Sequence, residues 1–265
     1  MAPDMAIEDE LLRTALDLAR EAGAIHLRHF RSFDPADVKL KGRRNPVTVA
    51  DVEAERHIVG ELARRFPDHR VVAEEEGGRA GGAEWTWYVD PLDGTVNFAH
   101  GLPIFAVSIG VCRGDEIVAG VVHAAALGET CSAVRGRGAF RNGAPLRVSR
   151  GCELREALLA TGFAYQRNEV TDNNVAIFAD LVLRCRDLRR LGSAALDLAF
   201  VAAGHYDAYW EPHLNSWDLA AGILLVTEAG GRVTDLAGGS SMLAQGSVLA
   251  SNGTALHETL LRHVR

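Results

Sequence analysis

One stretch of this sequence decides how the rest is interpreted: Asp90-Pro91-Leu92-Asp93-Gly94-Thr95-Val96-Asn97-Phe98. An aromatic-rich strand is predicted to end at Asp90, and Gly94 permits close backbone approach before a helix begins at Thr95. Two carboxylates and the carbonyl of Leu92 would then surround a turn beside a helix N-terminus. Carboxylates attract a hard cation, and the free N–H groups of such a terminus suit a phosphate. The alternative is an ordinary turn in which Asp and Gly form local hydrogen bonds.

Three more acidic groups could join this turn, although each also has a purely structural interpretation. Glu74-Glu75-Glu76 directly follows a predicted strand, and adjacent like charges raise one another's pKa unless a cation or water relieves them. A solvated loop explains the same run. Glu211 precedes Asp218, which stands at the start of a predicted helix and could simply cap it. Thr48 and Asp51 have the spacing of a capping box, and the functional alternative makes Asp51 the acceptor of a proton from water.

Other motifs exclude several classes of enzyme. Ser193 follows Gly192, and as a lone serine its favoured role is to cap the helix predicted over 193–203. The chain has neither a GxSxG elbow nor a GxxxxGK[ST] loop, which argues against a serine hydrolase and a P-loop nucleotidase. The four cysteines lie far apart without a CxxC pair, so they are predicted to be reduced thiols rather than zinc ligands.

Composition and charge limit the kinds of partner that this chain is expected to bind. A chain of 265 residues can bury the core of one large domain or two small ones. Its formal charge of −7 argues against nucleic acid as the main partner. Two arginine clusters run against that balance and are interpreted as solvated faces: Arg135, Arg137, Arg141, Arg147 and Arg150, then Arg184, Arg186, Arg189 and Arg190. No apolar run reaches the ~20 residues of a membrane helix and no secretory signal is visible, so a cytoplasmic location is expected.

The periodicity of apolar residues changes near residue 150. Residues 1–150 are predicted as an α+β part: two helices, over 8–30 and from Thr48 to Phe66, then short strands and an antiparallel meander over 105–148. Residues 151–265 alternate strands and helices and are predicted as an α/β part that completes the site. His26 and His29 fall within the first helix and are predicted to be exposed.

Together these segments resemble the inositol monophosphatase family over nearly the whole chain. The most specific matches are the stretch from Asp90 to Phe98 and Trp217-Asp218 followed by Ala220-Ala221-Gly222. The resemblance implies a layered αβαβα sandwich of the inositol monophosphatase and fructose bisphosphatase type, usually a homodimer. It also implies hydrolysis of a small phosphate monoester, above all inositol monophosphate, to myo-inositol and phosphate.

Carried over residue by residue, the resemblance assigns roles to the acidic groups. The implied metal ligands are Glu74, Asp90, the Leu92 carbonyl, Asp93 and Asp218. These are all oxygens, which favours two or three Mg²⁺ ions, or Mn²⁺, over zinc. The implied groups that orient and deprotonate water are Asp51, Glu75 and Thr95. The implied substrate contacts are Asp93, Gly94, Thr95, Arg189, Gly192, Ser193, Ala194, Glu211 and Asp218. Lys41 lies near a lysine that relatives carry in a flexible active-site loop.

Two alternatives stay open. Histidinol-phosphate and adenosine-type phosphatases of the same superfamily usually carry Lys after the motif's Thr, where this chain has Val96, and the next segment favours the inositol branch. Histidinol phosphate nevertheless remains the second substrate candidate, ahead of other sugar or nucleotide phosphates. Some bacterial relatives regulate by contacting the transcription machinery, and the arginine clusters could serve such binding. The acidic balance and the complete ligand set favour an enzyme.

Overall fold

The computed structural model describes residues 2–30, 39–40 and 46–265, so Lys41 lies outside the described residues. The helices and strands, in chain order, are α1 Ala2–His29, β1 Lys39–Leu40, β2 Pro46–Val47, α2 Val49–Arg65, β3 His69–Ala73, β4 Gly82–Asp93, α3 Thr95–Ala99, β5 Ala106–Arg113, β6 Glu116–Ala124, β7 Glu129–Val134, β8 Ala139–Arg141, β9 Ala144–Pro145, β10 Leu158–Thr161, α4 Val175–Leu181, β11 Asp187–Arg189, α5 Ala194–Ala202, β12 Ala208–Glu211, α6 Ser216–Glu228, β13 Arg232–Thr234, α7 Met242–Gln245, β14 Val248–Ser251 and α8 Ala255–Val264. None of the helices within these ranges is both long and apolar enough to span a bilayer.

The elements stack in five layers, which confirms the predicted αβαβα sandwich. The larger sheet has the order β3-β4-β5-β6-β7-β8-β9 and is antiparallel except where β3 pairs with β4. The smaller sheet has the order β11-β10-β12-β14-β13, with β10 parallel to both of its neighbours. Helices α1 and α2 cover one face of the larger sheet, α5 and α6 pack between the sheets, and α4 and α8 cover the outer face of the smaller sheet.

The helices form where their apolar periodicity requires burial. Leu11, Leu18 and Ile58 of α1 and α2 are fully buried against Trp87 of β4 and its neighbours. Helices α5 and α6 carry small and aliphatic residues on all sides because sheets cover them on both faces. Because α5 and α6 contact both sheets, the division into residues 1–150 and 151–265 remains a prediction.

Two local expectations differ from the structure. The prediction that β4 ends at Asp90 was wrong: the strand continues to Asp93 across a bulge, and Asp93 pairs with Ala106 of β5. The bulge re-aims side chains beside the site, as bulges commonly do. The prediction that His26 is exposed was also wrong, because it lies four residues after the buried Ala22 and shares that helix face. His29 is partly exposed, and its ring contacts the carboxylate of Glu53 at 2.8 Å.

Candidate active site

Most of the predicted site residues line one cavity of about 230 Å³ between the two sheets. Those lining it are Glu74, Asp90, Leu92, Asp93, Gly94, Thr95, Gly192, Ser193, Ala194, Glu211 and Asp218. The chain thus gathers side chains from β3, β4, β12, α5 and α6, or from the loops beside them, around one space. Three predicted residues, Asp51, Glu75 and Arg189, do not line the cavity wall.

The turn after Asp90 is shaped by its backbone. Oδ1 of Asp90 accepts the N–H of Leu92 at 3.0 Å, which curls the chain. Gly94 has a φ of 97°, and a Cβ there would lie 2.8 Å from the carbonyl oxygen of Ile104, so only glycine fits. Helix α3 follows and spans five residues, and the amides of its first turn face the end of this turn. The amide of Asn97 ties this helix to the carbonyl of Leu191 at 2.8 Å.

Asp51 lies behind Thr95 and contacts the cavity through it. The hydroxyl of Thr95 donates to Oδ1 of Asp51 at 2.9 Å, while Oδ2 of Asp51 accepts the backbone N–H of Thr48 at 2.8 Å. The predicted capping box is confirmed, and the same carboxylate also accepts the hydroxyl of Thr95. The role of Asp51 as acceptor of a proton from water stays a prediction. Burial raises the pKa of Asp51, although the hydrogen bonds from Thr48 and Thr95 oppose this. A group with a raised pKa, linked to the cavity by a hydroxyl, is suited to accept a proton.

Asp93 links the end of β4 to the start of α5. Its Oδ2 accepts the hydroxyl of Ser193 at 2.6 Å and the N–H of Ala195 at 2.7 Å, across about a hundred residues of sequence. Ser193 also caps α5, since its hydroxyl oxygen accepts the N–H of Leu196 at 3.4 Å. Burial raises the pKa of Asp93 in spite of these donors. The predicted capping role of Ser193 is thus combined with the orientation of a cavity carboxylate.

Asp90 and Asp218 both line the cavity. Oδ2 of Asp218 accepts the N–H of Asn215 at 2.6 Å within a capping box. Burial, and then the charge of Asp93, raise the pKa of Asp218 to about 7. Burial, and then the charges of Glu74, Asp93 and Asp218, raise the pKa of Asp90 well above its usual value. Burial and the neighbouring carboxylates therefore disfavour the ionised forms of both groups.

Glu211 also lines the cavity, at the end of β12. Its Oε2 accepts the hydroxyl of Tyr209 at 2.5 Å, and burial raises its pKa to about 7. Gly162 makes room for this carboxylate, because a Cβ at that position would lie 1.8 Å from Oε2. Tyr165 also lines the cavity, and burial followed by the charge of Glu74 raises its pKa, so its hydroxyl stays protonated.

Arg190 is a cavity residue that was not predicted from the sequence as a substrate contact. It lines the cavity, and its charge lowers the pKa values of both Glu211 and Asp93. The predicted contact, Arg189, instead forms an ion pair with Asp187 at 2.6 Å on the edge strand β11. Neighbouring residues of an extended chain point to opposite sides, so only one of the two arginines can face the cavity. Their adjacency in the second arginine cluster was the available signal.

The donor chemistry of the cavity fits a hard cation. The carboxylates of Asp90 and Asp218 and the backbone carbonyl of Leu92 offer oxygen ligands, and carboxylates brought together out of water are stable only when cations or protons neutralise them. Within residues 2–30, 39–40 and 46–265, no three His, Cys, Asp or Glu side chains are already grouped so that they could hold a metal ion.

Comparisons with known proteins identify the family of this chain. The model of the inositol monophosphatase family matches residues 7–265. The chain is 44% identical over 247 residues to the Nus factor SuhB of Pseudomonas aeruginosa, covering 91% of each chain. It is 41% identical over 256 residues to the inositol-1-monophosphatase of Mesorhizobium japonicum, covering 96% of each. The solved structure of an inositol monophosphatase from Anabaena (Nostoc) sp. PCC 7120 matches with a TM-score of 0.87 at 39% identity, covering 97% of this chain and 95% of the other. The chain belongs to the inositol monophosphatase family.

Proposed function

We propose that this chain is a Mg²⁺-dependent phosphoric monoester hydrolase and that its substrate is a myo-inositol monophosphate, which it converts to myo-inositol and phosphate. The observation that carries the proposal is the cluster of Asp90, Asp93 and Asp218, with Glu74, around one small cavity in whose wall Asp90 is buried. Membership of the inositol monophosphatase family supports the reaction class. The likeness to a protein named inositol-1-monophosphatase supports the substrate.

The cluster assigns the cation ligands to Glu74, Asp90, the Leu92 carbonyl, Asp93 and Asp218. Two or three Mg²⁺ ions are expected, with Mn²⁺ as an alternative, because every donor is an oxygen. When bound, the cations would supply positive charge that activates water and stabilises the leaving oxygen. The chain's own groups handle the proton of the attacking water. Thr95 orients the water through its hydroxyl and accepts the proton on Oγ1, while the hydroxyl proton of Thr95 passes to Asp51 Oδ1 through their hydrogen bond. Glu75 is a further proposed participant, although it does not line the cavity.

The remaining wall supports a small polyol. Glu211 offers a carboxylate to hydroxyl groups, and Arg190 offers a guanidinium at the same side of the cavity. Residues 192–194 lie beside the amide that holds Asp93. A cavity of about 230 Å³ suits one six-membered ring with its phosphate better than a nucleoside bisphosphate. These features favour inositol monophosphate over nucleotide substrates.

The test is release of inorganic phosphate with Mg²⁺ across a panel of substrates. The panel contains inositol 1-phosphate, glycerol 2-phosphate, histidinol phosphate, fructose 1,6-bisphosphate and 3′-phosphoadenosine 5′-phosphate. We expect the highest kcat/KM for inositol 1-phosphate and loss of activity with a chelator. A higher kcat/KM for histidinol phosphate would replace the substrate but keep the reaction. Equal activity with and without a chelator would overturn the proposal.

A regulatory role in transcription is the second candidate, because the Pseudomonas relative is named a Nus factor. The charge of the described surface gives it little support. Five of the nine clustered arginines form ion pairs: Arg135 with Glu116, Arg137 with Glu8 and Asp9, Arg141 with Glu129, Arg184 with Asp180, and Arg189 with Asp187. Salt-sensitive co-purification with RNA or RNA polymerase, retained by a variant without phosphatase activity, would support this role. Robust phosphate release without such co-purification would count against it.

A homodimer and a cytoplasmic location, both expected from the sequence, also remain proposals. Light scattering after size-exclusion chromatography tests the first: a mass of about twice 28.5 kDa supports a dimer. Fractionation of the source cells tests the second.

A further inference from the structure

The side chain of Glu55 is a buried acid to which the family resemblance assigns no role. We propose that Glu55 is a positioning residue: its carboxylate fixes the turn that carries Glu74, and thereby sets the affinity of the cavity for its cation. The inference rests on the proposed function, because it concerns the cation that Glu74 would bind. It adds a residue that lies outside the cavity wall.

The geometry of Glu55 is that of a clamp on two successive amides. The residue lies on α2 and is 1% exposed. Its Oε2 accepts the backbone N–H of Glu75 at 2.7 Å, and its Oε1 accepts the backbone N–H of Glu76 at 2.5 Å. A buried carboxylate is tolerated only when its oxygens are hydrogen-bonded, so the clamp and the burial of Glu55 depend on each other.

One face of α2 contacts two segments of the site: the one that follows β3 and the one that follows β4. Asp51 and Glu55 are four residues apart, which puts their side chains on one face of a helix. Asp51 accepts the hydroxyl of Thr95 in the turn after β4, and Glu55 accepts the amides of the turn after β3. One rigid helix therefore fixes the distance between the two turns that supply Glu74 and Asp90.

Glu55 holds the tip of this turn. The base is closed by paired backbone hydrogen bonds between Val71 and Arg79, at 2.9 and 2.8 Å. Glu76 is half-exposed and its carboxylate is held by Arg56 at 2.7 Å, so it is drawn away from the cavity. Glu74 is the member of the Glu74-Glu75-Glu76 run that lines the cavity.

Loss of the clamp is expected to weaken cation binding rather than the chemical step. Three adjacent carboxylates repel one another, and without the clamp the turn would spread until a cation drew it back. Binding would then include the cost of ordering the turn, which lowers affinity without changing the ligands themselves. Groups that orient metal ligands typically alter metal affinity on the order of 10- to 100-fold when they are changed.

The experiment compares Glu55→Gln with a matched control, Glu53→Gln, on the full chain. Glu53 lies on the same helix, but it is partly exposed and pairs with Arg28 and His29 away from the cavity. The amide of the Glu55 variant offers one acceptor and turns an N–H₂ group towards a backbone N–H, so it cannot repeat the clamp. Three quantities are measured: hydrogen exchange of residues 74–78 in metal-free protein, Mg²⁺ binding by calorimetry, and the Mg²⁺ concentration that gives half-maximal phosphate release.

For Glu55→Gln we expect faster hydrogen exchange at the amides of Glu75 and Glu76. We also expect about a tenfold or greater increase in the Kd for Mg²⁺ and in the Mg²⁺ concentration that gives half-maximal phosphate release. At saturating Mg²⁺, kcat should stay within about threefold of the unaltered chain, and Glu53→Gln should change none of these quantities. Should Glu55→Gln fold poorly, Glu55→Asp takes its place, because it keeps the charge but cannot reach both amides. Faster exchange with unchanged Mg²⁺ binding would overturn the positioning role and leave the proposed function intact. Mg²⁺ binding without phosphate release in the unaltered chain would overturn the proposed function, while exchange and calorimetry would still decide on Glu55.

Discussion

Replacement of His26 by Leu should change how the stability of this protein depends on pH. The ring of His26 is fully buried on α1, with the rings of Phe98 and Phe105 at centroid distances of 6.1 and 5.8 Å. Neither of its nitrogens makes a hydrogen bond of normal geometry to the described residues, although the carbonyl of Pro91 faces it. Leu has a similar volume, fits an apolar site and does not titrate.

The magnitude follows from the pKa of the buried ring. Burial lowers the pKa of His26 from 6.5 to about 3, with smaller contributions from the charges of His123 and His29. Between these two values the unfolded chain binds a proton at this position and the folded chain does not, so the free energy of unfolding falls as the pH falls. Each pH unit is worth about 1.36 kcal/mol, which gives a loss of about 2 kcal/mol at pH 5 and about 4 kcal/mol at pH 3. Above pH 6.5 the ring is neutral in both states and the effect vanishes.

The assay is urea unfolding of the unaltered chain and of the His26→Leu variant at pH 7.5, 6 and 5 without added metal. Other titrating groups are common to both chains, including His257, whose pKa burial lowers to about 4, so their contributions cancel in the difference. We expect the two chains to agree within about 1 kcal/mol at pH 7.5, and the Leu variant to be favoured by a further ~2 kcal/mol at pH 5. A difference that does not change between pH 7.5 and pH 5 would refute the assignment of a neutral, buried ring.

Three further substitutions test the cavity. Asp93→Asn should lower turnover at least about 100-fold by removing a proposed ligand, while the metal-free fold keeps or gains stability because one repelling charge is lost; unaltered phosphate release would exclude Asp93 from the site. Arg190→Gln should raise KM about tenfold, and Arg189→Gln should leave it unchanged; the reverse pattern would favour the contact expected from the sequence. Gly162→Ala should displace Glu211 and raise KM for inositol 1-phosphate more than for glycerol 2-phosphate, whereas equal KM changes for the two would argue against a polyol contact at Glu211.

Local patterns were sufficient to predict much of the fold. The apolar spacing of α1 and α2, the Asn142-Gly143 turn between β8 and β9, and the alternation of strands and helices after residue 150 are signals carried by neighbouring residues. The predicted capping box of Thr48 and Asp51 is a feature of the same short range. At the start of α6 only a capping role for Asp218 was predicted, and the structure adds Asn215 to it. Such features depend on contacts within a few residues, which a sequence displays directly.

The misses arise from contacts between distant segments. His26 continues the buried face of α1, but what covers that face is the turn after β4 and α3, some seventy residues later in the chain. Glu55 is one turn of helix after Asp51, yet its partners are amides that the packing of β3 brings near. Arg190 directly follows Arg189, the last residue of the edge strand β11, and the packing of that edge decides which of the two lines the cavity.

The most direct test of the proposed site is a calorimetric titration of the metal-free chain with Mg²⁺ at pH 8. The variant Asp90→Asn is titrated in the same way for comparison. If the buried carboxylates of β4 and α6 form one cation site, the unaltered chain binds at least two ions and the variant binds them about tenfold or more weakly. Identical binding heats for the two proteins, or no binding by the unaltered chain, would contradict it.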